Sequence, residues 1–263
     1  MKESPSSPLT QQEKQTGELI PAIEELREPI KKILGQLRPH LEKGEYQILI
    51  SDEISGRIPA LLFLHIINEI YKQKGFPPLT FIPMAGGYPK FPDKKNPEIR
   101  DALRDEAMEY MFNEKPEDIK WKIKRIIPKT RHKDTKELKA LIITDALWEG
   151  KTFEVFNLGL IQSGIKSDTA SIGIDGKMKD YAWRKILEDM YKSTIFWGME
   201  GTPMITHMKE LSGVEKINPF ITRTRASRDP IVIQERKKAR KNEKILAQEL
   251  LAWYLTQEPK NPQ

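Results

Sequence analysis

The chain has 263 residues, room for one or two domains with a sizeable hydrophobic core. Apolar residues make up 38% and charged residues 31%, a folded, soluble composition; with no cysteine, disulfides, thiolate metal ligands and cysteine nucleophiles are excluded and a cytoplasmic setting is expected. The formal net charge is +6, and it is concentrated: within residues 222–244, Arg223, Arg225, Arg228, Arg236, Lys237, Lys238, Arg240, Lys241 and Lys244 face Asp229, Glu235 and Glu243, a surplus of six that equals the charge of the whole chain.

Residues 1–17 are polar, with Ser4, Pro5, Ser6, Ser7 and Pro8, and lack the apolar core of a signal peptide, so they are expected to form a disordered tail. Within 18–44, apolar residues from Leu19 to Leu41 recur every three or four positions, interrupted by Pro21 and Pro29; this predicts two helical pieces, each proline in a first turn. The rhythm then changes. Over residues 45–220, short apolar runs at 46–50, 79–83, 140–144, 169–174 and 194–197 alternate with helical patterns at 57–71, 151–161 and 181–190. One connection is longer, an insertion at 88–139. It holds a helix start at Asn96-Pro97, helical spacing through Ile99, Leu103, Ala107, Tyr110 and Met111, and an alternation Ile119, Trp121, Ile123 that predicts a strand with Lys120, Lys122 and Lys124 on its wet face. The longest apolar stretch, 58–67, is far short of the ~20 residues that cross a bilayer, so no membrane partner is expected. In the extension 221–263, the spacing of Leu246, Leu250, Trp253 and Tyr254 predicts a helix docked by one apolar stripe. Its basic start is either a solvated face or a surface for the phosphates of a nucleotide or nucleic acid.

The expected fold class is therefore α/β: an open, mostly parallel sheet with helices on both faces, flanked by N- and C-terminal helices. In such sheets ligands bind beyond the carboxyl ends of the strands, where helix N-termini favour anions. Two of the segments following strands stand out. In Leu141-Ile142-Ile143-Thr144-Asp145-Ala146-Leu147-Trp148-Glu149-Gly150-Lys151-Thr152, a buried strand delivers one carboxylate and a glycine turn leads to a lysine and a hydroxyl at a helix start. Asp145 can accept hydrogen bonds from ribose hydroxyls while the backbone amides of Trp148, Glu149, Gly150, Lys151 and Thr152, with the Thr152 hydroxyl, surround a phosphate. A nucleotide-triphosphatase P-loop is excluded, because Asp145 stands where that loop needs its first glycine. In Glu53-Ile54-Ser55-Gly56-Arg57, the amides from Ser55 to Arg57 and the Arg57 guanidinium suit a diphosphate.

The first segment resembles the phosphoribosyl-pyrophosphate motif of type I phosphoribosyltransferases. Asp145 falls on its second acid, Leu147 on an apolar position, Gly150 on its glycine and Thr152 on its final hydroxyl; Thr144 replaces its first acid, and Trp148 and Glu149 replace small or hydroxyl residues. The second segment is similar to that family's pyrophosphate loop and stands in family order, and the basic insertion occupies the interval of its mobile loop. The resemblance covers about residues 45–197. It implies binding of 5-phosphoribosyl 1-pyrophosphate with Mg2+, with Asp145 as the catalytic grip on the ribose, Gly150 and Thr152 on the 5′-phosphate, Ser55, Gly56 and Arg57 on the diphosphate, and a basic side chain of the insertion closing over it. Ribosyl phosphate would pass to a nitrogen base.

Plainer roles stand beside these. Ser55 serves equally as a helix N-cap, Asp145 as an acceptor for loop amides, Lys151 as a solvated first-turn lysine, and Glu149 as a group that favours a helix dipole and marks a site no longer binding phosphate. The alternative to an enzyme is a non-catalytic nucleotide sensor of the same fold, or a nucleic-acid binder using Arg223 to Lys244. The four histidines show no metal-ligand spacing. Neither the acceptor base nor the oligomeric state follows from these residues.

Overall fold

The computed structural model describes residues 19–52, 56–84, 109–127, 137–216 and 224–257. The expected tail and most of the helix beginning at Asn96 lie outside them.

Five strands form one all-parallel sheet: β1 (Ile48–Asp52), β2 (Thr80–Met84), β3 (Lys139–Leu147), β4 (Lys166–Ile174) and β5 (Ile195–Glu200), in the order β2-β1-β3-β4-β5. The helices are α1 (Pro21–Glu24), α2 (Arg27–Leu41), α3 (Arg57–Lys74), α4 (Lys115–Ile126), α5 (Lys151–Ile161), α6 (Tyr181–Tyr191) and α7 (Pro230–Thr256), and a short antiparallel pair, β6 (Val214–Lys216) and β7 (Thr224–Ala226), precedes α7. The chain steps from β1 to β2 in one direction and from β2 through β3, β4 and β5 in the other. With right-handed crossovers this puts α3 on one face and α4, α5 and α6 on the opposite face.

The core divides accordingly. On one face Leu49, Leu141, Ile143, Ala170, Ile172 and Phe196 of the sheet pack with the apolar stripes of α1, α2, α3 and α7. On the other, Ile48, Ile50, Ile82, Ala140 and Ile142 pack with Ile119 and Ile123 of α4 and Val155, Phe156 and Leu160 of α5. Alternate residues of β1 and β3 thus serve opposite faces, the two-residue period of a strand buried on both sides. The flanking helices belong to the same core. Leu246, Leu250 and Tyr254 of α7 are buried among α1, α2 and α3, with Trp253 partly so.

The expected strand at Ile119, Trp121 and Ile123 is a helix instead. Pro116 lies in the first turn with Glu117 and Asp118, Ile119 and Ile123 fall four residues apart on the buried side, and Trp121 is exposed. Lys120 pairs with Glu117 and Lys122 with Asp118 along the helix, so these lysines belong to a helical surface rather than a strand face.

The amino edge of the sheet is pinned by one buried carboxylate. Asp168 accepts hydrogen bonds from Tyr46 Oη at 2.7 Å and Thr194 N at 2.9 Å, and Lys139 Nζ lies 2.6 Å away. Burial and this carboxylate hold the Tyr46 phenol well above its usual pKa.

Candidate functional site

Strand order changes direction between β1 and β3, and both chain segments singled out from the sequence leave the sheet there. β1 ends at the buried Asp52, and α3 starts at Arg57 with Gly56 as its N-cap. A Cβ added to Gly56 would sit 2.8 Å from Asp52 O and 3.2 Å from Ile143 O, so only glycine lets the start of α3 come this close to both strands. Ser55, with Glu53 and Ile54, lies outside the described residues. The close approach brings Gly56 and Arg57 beside β3, two residues before Asp145.

β3 runs three residues beyond its expected end, to Leu147, because Thr144, Ala146 and Leu147 continue the pairing with Ser171, Gly173 and Ile174 of β4. Asp145 therefore belongs to the strand and not to a loop. Its carboxyl is almost fully covered, at 4% exposure, with Thr144 Oγ1 3.4 Å from Oδ1. The two-residue period places it on the face of β3 that carries Leu141 and Ile143, the face of α3. The turn Met204–His207 packs on β3, and its Ile205 joins the same cluster.

The bend itself is only Trp148, Glu149 and Gly150. Gly150, at φ +87°, is the N-cap of α5; a Cβ there would lie 2.6 Å from Leu187 Cδ1 and 3.3 Å from Met178 Sδ. The bend is seated on the connection after β4, since Leu147 O accepts from Asp175 N at 2.8 Å and Trp148 O from Met178 N at 3.0 Å. Glu149 pairs with Lys151 at 2.9 Å, and both Glu149 and Trp148 are about half exposed, Trp148 at 53%. Thr152 sits partly exposed on the first turn of α5. One turn in, burial pushes the Glu154 carboxyl above its usual range, with Lys151 opposing.

α6 is capped by Asp180, which accepts from Ala182 N, and α7 by Asp229, which accepts from Ile231 N. α3 and α5 begin at glycines and, like α1, α2 and α4, have no side-chain cap among the described residues. Their first amides carry the positive end of the helix dipole toward the carboxyl edge, from adjacent strands and opposite faces.

Other residues of this edge have local work. Asp175 accepts from Gly176 N, pairs with Lys179 at 2.9 Å and takes the Thr202 hydroxyl; Lys179 above all holds its carboxyl below the usual range. Trp197, inside the expected run 194–197, lies within β5 with Lys32 Nζ 3.4 Å from its ring centroid. The basic side chains of the insertion that would close over a ligand fall largely outside the described residues. Arg240 of α7 was not singled out by sequence reasoning as part of this site, yet burial and then the charge of Arg57 lower its pKa, across the contact of α3 with α7; no short motif signals a residue brought in from the far end of the chain.

Among the described residues no three His, Asp or Glu side chains are grouped to hold a metal ion. None of the described helices is long and apolar enough to cross a membrane. No family model, curated protein or solved structure matches the chain.

Proposed function

We propose that the carboxyl edge between β1 and β3 binds a phosphorylated ribose carrying a diphosphate, and that the protein transfers ribosyl phosphate from 5-phosphoribosyl 1-pyrophosphate to a nitrogen base with release of pyrophosphate. The observation that carries this reading is the pair of glycine-started, side-chain-uncapped helices leaving adjacent strands at the point where strand order reverses. Gly150, Lys151 and Thr152 would hold the 5′-phosphate with the first amides of α5, and Gly56 and Arg57 the diphosphate with those of α3. Trp148, half exposed at the bend, would border the ligand, and Glu149 is drawn aside by Lys151. Asp145 would accept the ribose hydroxyls once the cover over its carboxyl opens. A bound Mg2+ would neutralise charge on the departing diphosphate. The chemistry then rests on positioning and charge stabilisation of a cationic sugar and an anionic leaving group.

A second reading is favoured by Thr144 in place of an acid and by the depth of Asp145. In it the fold senses a nucleotide without turning it over, or binds nucleic acid through the exposed Lys237, Lys238, Lys241 and Lys244 of α7. Calorimetry with the sugar diphosphate and Mg2+ tests the first reading. Binding should occur and fall by about tenfold or more in Asp145→Asn, since a charged hydrogen-bond acceptor to the ribose is lost. Absence of binding, or affinity indifferent to that substitution, removes it. Binding with normal affinity but no turnover over a panel of nitrogen bases favours the sensor.

A further inference from the structure

Of the eleven residues of α6 only Leu187 is buried, whereas α5, of the same length, buries Phe153, Val155, Phe156, Asn157, Gly159 and Leu160. The sequence of α6 has apolar surface for more. At about 100° per residue, Ala182, Ile186, Met190, Trp183, Leu187 and Tyr191 follow one another around the helix in an unbroken apolar arc about 180° wide. One half of the arc packs on the body of the protein. Leu187 lies against Gly150, Trp183 and Tyr191 join the same cluster, and the rings of Tyr191 and Phe153 are 5.6 Å apart. The other half, Ala182, Ile186 and Met190 at intervals of one turn, is uncovered among the described residues: Ile186 is 52% and Met190 62% exposed, with Tyr181 of the first turn at 71%. Three large apolar side chains bared by one short helix mark a contact surface.

The bare line complements itself. Laid antiparallel on its own copy about a two-fold axis at Ile186, it sets the small Ala182 opposite the large Met190 at both ends and Ile186 against Ile186 at the centre. Lys185 and Asp189 stand beside that line, both exposed and 2.8 Å apart within the helix. The two-fold axis keeps this flank on one side of the helix pair and leaves Lys185 of each copy about 3 Å along the axis from Asp189 of the other, so opposite charges meet across the contact. We infer that α6 is a homodimer contact, the outward faces of two copies packing antiparallel. The partner is a second copy of this chain because size and charge along the line match their own reversal. One eleven-residue helix from each copy falls short of the roughly 800 Å² per partner of a standard interface, so the dimer should be weak, with Kd on the order of 10–100 µM. The contact is independent of the ligand read at the carboxyl edge.

Sedimentation velocity of the full chain from about 1 to 200 µM reads the association directly. The wild type should pass from monomer toward dimer over this range, and Ile186→Asp should weaken association by about tenfold or more. Lys185→Glu should weaken it by about threefold or more, and Lys185→Glu with Asp189→Lys should restore it to within about twofold of the wild type. Mixing is the sharper measurement. Labelled wild type should pair with unlabelled wild type in preference to the doubly reversed chain by about threefold or more, a discrimination that an ion pair inside one helix cannot produce. These side chains are exposed, so each variant should melt within about 3 °C of the wild type; if Ile186→Asp does not, Met190→Gln carries the same expectation. The inference is overturned if the wild type stays monomeric throughout, if the Ile186 and Met190 variants associate as well as the wild type, or if wild-type and doubly reversed chains pair indiscriminately. It is equally overturned if the chain stays monomeric and Ile186→Asp instead abolishes binding to phosphatidylserine vesicles.

Discussion

His65 and Glu243 form an ion pair in which the carboxylate is buried and the imidazole is not, at 1% and 42% exposure. The hydrogen bond that Glu243 accepts from His65 raises the His65 pKa, with its charge in support and with burial, Lys244 and Arg240 opposing. The folded value thus lies above the unfolded one, near 6.5. The pair's contribution is complete below that value and is lost as pH rises through the higher folded pKa. Urea midpoints measured from pH 5.5 to 9 should fall over this window by under about 1 kcal/mol, given solvent screening, and His65→Gln should lack the step. A wild-type-to-variant difference that stays constant with pH would contradict the assignment. At this scale the sequence disclosed residue types better than depth. Gly150 was legible as a special position, because a glycine between an apolar strand and a helical pattern announces a bend, and φ is positive there. The burial of Asp145 was not legible, since β3 is closed in by β4 and by the turn Met204–His207, both later in the chain.

Among elements, α4 shows how a short pattern misleads. Ile119 and Ile123 satisfy a period of two and a spacing of four alike; only the exposure of Trp121 and the packing on α5 decide between them. That packing is close: a Cβ on Gly159 of α5 would lie 2.7 Å from Ile119 Cβ and 3.0 Å from Pro116 O. Gly159→Leu should push the two helices apart and destabilise the protein by about 1–3 kcal/mol, read from urea denaturation, and a neutral result would show that α4 sits loosely. The alternation of strands and helices from β1 to β5 was legible throughout, because strands buried on both faces read as continuous apolar runs. Strand ends were less so. Asp145 to Leu147 read as a turn because a carboxylate seldom ends a buried run, yet pairing of Ala146 and Leu147 with β4 carries the strand to Leu147.

For the molecule as a whole, α7 is part of the main core and not an appendage. Asn242 Oδ1 accepts from Ile20 N at 2.6 Å, Arg38 reaches the carbonyl of Tyr254, and Ala239, Leu246, Ala247, Leu250 and Tyr254 are buried against α1, α2 and α3. Burying a large apolar side chain is worth about 1.5–3 kcal/mol, and a domain's net stability is about 5–15 kcal/mol. A chain stopped before Pro230 should therefore fail to fold, giving a circular dichroism spectrum without a cooperative melt. A cooperative melt in the truncated chain would show that the helix merely decorates an independent unit. The bond between Ile20 and Asn242 has a consequence for biosynthesis. The face of the sheet that carries α2 and α3 cannot close until α7 has left the ribosome, so the nascent chain presents those apolar stripes to its surroundings until the residues of α7 have been made, and its yield should depend on chaperones that shield them.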